Sequence, residues 1–304
     1  MAFRSTKCAI CNSFNNSEIV HKASLDNETF TKEVFSARRL PDRRHYQWVK
    51  CKNCGLLRSD PVFDLDLSEL YEKSTFEYSS EISGLKRAYA SITKKAFGDK
   101  KISGSMLEIG GGNGFYLEAA LEIGFQNVAA VEPSLEAVEA SRSDIKQNTI
   151  IDIMKPGLIP DNSYDAVTMF HVLDHLPDPL ETVKTCALAL KPSGTFIVAV
   201  HNCESWSAKI FKNKSPIVDV EHTYLYSMKT IKKLFETAGL VNIKIGAYNN
   251  YYSLAYLLHL IPISNRVKLA ILNGPLKILI RNIRVSVPLG NMWASADKPL
   301  KLNI

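Results

Sequence analysis

A strand-and-helix alternation that opens at Gly104 constrains this chain more than any other feature. Ser105 to Ile109 reads as a strand, Gly114 to Ile123 as a helix, Asn127 to Val131 as a strand, Leu135 to Ile145 as a helix and Thr149 to Ile151 as a third strand. Tyr164 to Phe170, Pro179 to Leu190 and Gly194 to Val200 continue the alternation as strand, helix and strand. Such a series predicts an α/β fold, a mostly parallel sheet with helices on both faces, because parallel strands are joined by helical crossovers that pack back on the sheet. Downstream, Ser227 to Ala238 reads as an amphipathic helix stopped by Gly239, and Val241 to Ala247 as a sixth strand. Gly290 to Ala296 is expected to return as a last strand.

The first strand runs into Leu107-Glu-Ile-Gly-Gly-Gly-Asn-Gly-Phe, which places Gly110, Gly112 and Gly114 in the turn behind Glu108. Glycines let the backbone turn tightly and approach a ligand at the start of a helix, where amide hydrogens point outward. A dinucleotide fingerprint would need a further glycine at position 115, which is Phe115. The second strand ends at Glu132, 22 residues past Gly110, where a carboxylate can accept from both hydroxyls of a ribose lying across the strand ends.

These residues resemble the class I S-adenosylmethionine-dependent methyltransferases, whose first motif has the form E/D-x-G-x-G-x-G. The resemblance covers about residues 104 to 245. It includes Ile159-Pro-Asp-Asn-Ser-Tyr-Asp-Ala-Val, His171-Val-Leu-Asp-His-Leu-Pro-Asp-Pro and Leu190-Lys-Pro-Ser-Gly-Thr. It implies a Rossmann-like domain with S-adenosylmethionine as methyl donor, Asp152 and Ile153 flanking the adenine, and Phe170 and His171 lining the methionine moiety.

Ahead of this domain, Cys8-Ala-Ile-Cys11 and Cys51-Lys-Asn-Cys54-Gly55 form two C-x2-C knuckles, whereas Cys186 and Cys203 stand singly in apolar surroundings. Two knuckles match a zinc ribbon, with four thiolates around a structural Zn²⁺ that leaves no open position for chemistry. The metal would supply folding energy that so small a module lacks. The expected organisation is a zinc-ribbon module over residues 1–65, a helical bridge over 66–103 and the methyltransferase domain over 104–304, with a basic apolar insertion at 251–285.

A zinc ribbon, then Leu70-Tyr-Glu-Lys-Ser-Thr-Phe-Glu-Tyr-Ser-Ser, then a methyltransferase domain resembles bacterial sugar methyltransferases acting on nucleotide-linked sugars or surface polysaccharide precursors. In the C-methylating members a Glu-His pair after strand five belongs to the active site, and Glu221-His222 stands at that place here. Methyl transfer to a hydroxyl, or to a carbon beside a ketone, requires removal of a proton, which suits His222 oriented by Glu221. His175, in the loop after strand four, is a second candidate base, and the same resemblance brings Tyr78 to the acceptor.

The net charge of +6 is concentrated. Lys244, Arg266, Lys268, Lys277, Arg281 and Arg284 lie between Thr237 and Ala296 without one acidic residue, and the rest of the chain balances 31 basic against 31 acidic side chains. A general nucleic-acid binder spreads its excess differently. Residues 265–285 mix Leu and Ile with these bases, as helices that seek a membrane surface do, and as a lid or dimer surface also can. The start, Met1-Ala-Phe-Arg-Ser-Thr-Lys, has no apolar core of signal-peptide length, so a cytoplasmic protein is expected, with the basic segment as its contact to the inner membrane face. An RNA methyltransferase, marked by a basic groove running into the donor pocket, and a non-catalytic cofactor-binding scaffold, marked by an occluded acceptor pocket, are the alternatives.

Overall fold

A computed structural model of the chain describes residues 2–25, 44–64, 82–260, 264–275 and 277–301. The amino-terminal part contributes five short strands, β1 (Phe3–Arg4), β2 (Ser17–His21), β3 (Trp48–Cys51), β4 (Leu57–Ser59) and β5 (Val62–Phe63), before helix α1 (Ile82–Phe97). The alternation follows as β6 (Ser105–Ile109), α2 (Phe115–Ile123), β7 (Asn127–Val131), α3 (Leu135–Glu139), α4 (Ser143–Gln147), β8 (Thr149–Ile150), β9 (Tyr164–Phe170), α5 (Pro179–Ala189) and β10 (Leu190–His201). The remainder is α6 (Trp206–Phe211), β11 (Tyr224–Leu225), α7 (Met228–Thr237), β12 (Val241–Ser253), α8 (Leu254–Leu260), α9 (Asn265–Asn273), α10 (Lys277–Asn282) and β13 (Arg284–Asp297).

Seven strands form the central sheet in the order β12-β13-β10-β9-β6-β7-β8. The pairs β6–β7, β6–β9, β7–β8 and β9–β10 are parallel, while β13 runs antiparallel between β10 and β12. Chain order reverses on either side of β6, so a crevice opens at the carboxyl ends of β6, β7 and β9, the place where such sheets take ligands.

Successive residues of a strand face opposite sides, and each side here has its own core. Leu107, Ile109, Val167, Met169, Phe196 and Val198 pack with Val183 and Cys186 of α5 and Ile231 and Leu234 of α7. Met106, Ala166, Phe170, Ile197 and Ala199 pack with Tyr89 and Ile92 of α1 and Tyr116 and Leu117 of α2. Strands buried on both faces read as nearly continuous apolar runs, which is why these were legible. Local caps set the helix starts: Ser227 and Thr230 make a reciprocal capping box on α7, and Asp178 caps α5 ahead of Pro179.

Three expectations change. The helix expected over 135–145 is two short helices, because Arg142 is extended (φ −58, ψ 143) and pairs with Asp144; the Ser-Arg-Ser-Asp run favours a turn over continuous helix. The sixth and last strands are longer than expected: β12 runs on to Ser253 and β13 begins at Arg284, so Tyr251–Ser286 and Ser253–Arg284 extend the pair beyond the sheet. The basic apolar insertion closes this hairpin as α8, α9 and α10. There Val267, Leu269, Ile278 and Leu279 are exposed, and no helix among the described residues is long and apolar enough to cross a membrane.

The cysteine module does not stand apart from the main domain. Strand β11, more than 160 residues downstream, pairs with β4 and completes the four-stranded sheet β11-β4-β3-β2. Cys8, Cys51, Cys54 and Leu56 belong to the same buried core as α5 and α7. Arg58, fully buried, ties the module together by donating to the carbonyls of Thr6 and Phe14 and to the Ser17 hydroxyl, with Asp60 as its counter-charge.

Candidate active site

The glycine-rich turn sits at the carboxyl end of β6, with left-handed backbone at Gly110 (φ 73), Gly112 (φ 53) and Gly114 (φ 72). Its glycines do two different jobs. A Cβ at Gly110 would lie 2.4 Å from Val172 Cγ2, and one at Gly114 would lie 2.7 Å from Ile145 Cγ2, so these two make room for the protein itself. Gly112 has no atom within 4 Å of where its Cβ would be and faces open space.

Two carboxylates lie behind the turn. Glu132 accepts from the amides of Gly112 and Ser134, both at 2.8 Å, which fixes the turn to the end of β7. Burial raises its pKa above the usual carboxylate value against those two bonds. Glu108 is buried, its Oε2 finds no hydrogen-bonding partner among the described residues, and burial with the Glu132 charge pushes its pKa well up. A buried carboxyl oxygen left unpartnered is costly in a resting protein and is where a ligand's donor belongs.

Around the crevice, Asp152 accepts from the Ile153 amide and pairs with Lys155, and Leu135, Ile151 and Ile153 leave apolar side chains exposed beside it. Phe170, at the end of β9, stacks on Tyr89 with ring centroids 4.3 Å apart. His171 follows with φ 54, a conformation uncommon for a side-chain-bearing residue and one that clusters at functional sites. Its Nε2 meets the Tyr248 hydroxyl at 2.7 Å. Tyr78 lies outside the described residues.

Beyond His171 the chain builds a histidine cluster around one carboxylate. Asp174 is fully buried, and neither of its oxygens has a hydrogen-bonding partner among the described residues. His175 Nε2 lies 3.8 Å from Oδ1 and His222 Nε2 lies 3.8 Å from Oδ2. The His175 and His222 rings are 4.7 Å apart, and His201 stands 5.2 Å from His222 and 4.9 Å from His171. Burial works against the Asp174 charge, yet the imidazoles of His175, His222 and His201 hold its pKa below the ordinary value. Burial, then the neighbouring His175, keeps His222 well below the ordinary histidine value.

His222 and His175, two separate candidates in the sequence, are therefore brought together, and the group beside His222 is not the Glu221 carboxylate expected to orient it. The carboxylate facing His222 belongs to Asp174, and Glu221 meets His175 through its backbone carbonyl, which accepts from Nδ1 at 3.0 Å. His201 and Asn291 were not singled out from sequence; they face each other across β10 and β13, Nδ1 to Oδ1 at 2.8 Å. The only sequence signal for Asp174 was its place in the His171-to-His175 run.

The amino-terminal module positions this cluster. The Ser59 hydroxyl donates to the His222 carbonyl, the Ser59 amide donates to Thr223, and the amides of Thr223 and Tyr224 both donate to the Asp174 carbonyl. In the module, Cys8, Cys11, Cys51 and Cys54 bring their sulfurs within 4.8 Å of one another, and Cys8 and Cys54 are 3.4 Å apart. The hydrogen bond from Cys54 draws the Cys8 thiol down to about 5.

The sheet order and the glycine turn define a class I S-adenosylmethionine-dependent methyltransferase fold, and residues 82–245 match the family model described as a methyltransferase domain. The chain belongs to that family. Curated relatives include ubiquinone biosynthesis O-methyltransferases from Xanthomonas campestris pv. campestris (strain B100), 33% identical over 32% of this chain and 43% of that protein, and from Idiomarina loihiensis, 35% identical over 33% and 44%. The chain thus spans less than half the length of the curated relatives it matches. A solved S-adenosylmethionine-dependent methyltransferase from Thermotoga maritima, described as a possible histamine N-methyltransferase, shares the fold with a TM-score of 0.51 and 18% identity over 73% of this chain and 93% of that one.

Proposed function

We propose that the chain transfers a methyl group from S-adenosylmethionine to a hydroxyl of a sugar acceptor, nucleotide-linked or part of a surface glycan precursor. The observation that carries this reading is the Asp174-centred histidine cluster at the carboxyl ends of β9 and β10, on the segment whose Val172 packs against Gly110 of the glycine turn. When bound, the donor supplies a methyl group on a sulfonium, ready for in-line displacement. Gly112 leaves the backbone open to it, Glu132 would take its ribose hydroxyls, Asp152 and Ile153 its adenine, and Glu108 with Phe170 and His171 its methionine end.

His222 and His175 activate the acceptor, and the fold holds them in place through Asp174, the Glu221 carbonyl and Ser59. Holding acceptor and donor in one geometry supplies much of the rate enhancement in such a displacement. Oxygen is favoured over carbon as the accepting atom by the relatives, which are named for O-methylation. A sugar is favoured by the polar wall beside the cluster, where Asn250 and Asn291 both donate to the Tyr252 hydroxyl and Tyr248 meets His171. Labelled donor offered with nucleotide sugars, lipid-linked glycans and RNA is expected to label a sugar; label in RNA alone overturns the reading.

The four cysteines have the donor set and spacing of a structural Zn²⁺ site, in which metal–sulfur bonds of about 2.3 Å hold sulfurs in tetrahedral contact. The exposed apolar side chains of α9 and α10, in a stretch with no acidic residue, fit an acceptor carried on a lipid. Sedimentation with anionic vesicles at low salt is expected to carry the chain down, and a chain left in the supernatant removes the membrane contact.

A further inference from the structure

We propose that Asp174, His175 and His222 form a binding site for one divalent first-row transition-metal ion, distinct from the cysteine cluster and open toward the acceptor. A carboxylate this deeply buried must be compensated, and hydrogen bonds do not do it: both oxygens lack partners among the described residues, and the nearest imidazole nitrogens stand at 3.8 Å. That distance is too long for a hydrogen bond. It is the distance two ligands of one ion keep, since nitrogen and oxygen donors about 2.0–2.2 Å from a metal lie about 3.3–3.9 Å apart at tetrahedral and wider angles.

At His175 the surroundings follow the pattern of a ligating shell, while the His222 Nδ1 is buried without a hydrogen-bonding partner among the described residues. A metal-bound imidazole donates its other nitrogen to a fixed oxygen, and His175 Nδ1 meets the Glu221 carbonyl at 3.0 Å, which turns Nε2 toward Asp174. The ligands are held before any ion arrives, because the Thr223 and Tyr224 amides bind the Asp174 carbonyl and Ser59 binds that of His222. The ligating atoms of Asp174, His175 and His222 all lie within 4.8 Å of one another, and His171 and His201 form a second such group around the same Asp174.

Two imidazoles and one carboxylate select manganese-to-zinc ions over magnesium or calcium, which require mainly oxygen ligands. Three protein ligands leave a coordination position open, unlike the four-thiolate cluster. At that position an ion would bind the acceptor hydroxyl and lower its pKa, so that its proton passes to solvent and the oxygen takes the methyl group as the sulfonium leaves as a neutral thioether; His222 and His175 then act on the acceptor through the metal and not as bases. This last role rests on the proposed function; the binding of the ion does not.

The test is titration of the chelator-stripped full chain with Co²⁺, followed by absorbance and metal analysis. Cobalt in the cysteine cluster shows thiolate-to-metal charge transfer, and cobalt at the histidines does not. The wild type is expected to take up one equivalent without that band. Asp174→Ala and His175→Ala are each expected to lose that equivalent while keeping thiolate-bound cobalt, which also reports that the module is folded. Absence of the equivalent from the wild type, or its retention in both variants, overturns the site. Labelled methyl transfer on the same samples separates the two readings: cobalt uptake with no sugar methylated leaves the metal site standing and removes the sugar acceptor.

Discussion

The two halves of the crevice are built in opposite ways. On the proposed reading the donor half comes mainly from one stretch of chain, Glu108 to Ile153, joined by Phe170 and His171, and its key contacts are to backbone: Glu132 binds the amides of Gly112 and Ser134, and the turn depends on glycine dihedrals. The acceptor half is gathered from Asp174 and His175, His201, His222, Tyr248 and Asn291, with Ser59 of the amino-terminal module holding it from outside. A site made by one turn can be carried between proteins whole. A site gathered from five segments changes with any of them, so on the proposed reading substrate choice resides there.

The largest effect is expected where this difference is sharpest. His222→Ala should lower turnover by roughly 100-fold or more, the scale of losing a group that activates the acceptor hydroxyl, directly or as a metal ligand. A loss below tenfold in steady-state rate would remove it from the chemistry. Glu132→Ala should weaken donor binding by about 10- to 100-fold, the worth of hydrogen bonds to a charged group. An unchanged dissociation constant would show that the ribose lies elsewhere.

Arg58→Met probes the link between the halves. Removing a buried guanidinium orphans the carbonyls of Thr6 and Phe14, and should cost about 3 kcal/mol by denaturant unfolding. Turnover should fall with it, since β4 holds the segment carrying His222, while donor affinity stays. The glycines offer a smaller and more discriminating contrast. Gly110→Ala should destabilise by about 1–3 kcal/mol through overpacking on Val172. Gly112→Ala should cost about 1–2 kcal/mol of backbone strain and act chiefly on donor affinity. Equal effects of the two on stability and affinity would contradict the division of labour.

The smallest effect expected is on pH. Burial raises the pKa values of Glu108 and Glu132 in the free protein, and a sulfonium-bearing donor favours their ionised forms. Donor binding must then release protons, so affinity should be greatest above the raised pKa values and fall as pH drops through them. The slope can be at most about tenfold per pH unit for each proton released. Flat binding by fluorescence titration over that range would mean that neither carboxyl changes state.

The same contrast explains what was legible in the sequence. Strands β6, β7 and β9 were read to the residue because their burial leaves a mostly apolar run, and Glu108, Gly110 to Gly114 and Glu132 followed from spacing within one supersecondary unit. His175 and His222 were named as separate candidates, with Glu221, the sequence neighbour of His222, as the group that orients it. Sequence adjacency favours Glu221; the fold places Asp174 between the two rings through a backbone tie 49 residues long, Thr223 to Asp174. The extended β12–β13 pair was missed because apolar residues with basic interruptions do not separate strand from helix by periodicity, and cross-strand pairing decided it.

The separateness of the two halves is tested most directly by calorimetric titration of S-adenosylmethionine into His222→Ala beside the wild type. The variant should bind the donor within about twofold of the wild-type dissociation constant while turnover is lost, well inside the tenfold that corresponds to about 1.4 kcal/mol. A donor affinity that falls in parallel with turnover would show one coupled site in place of two.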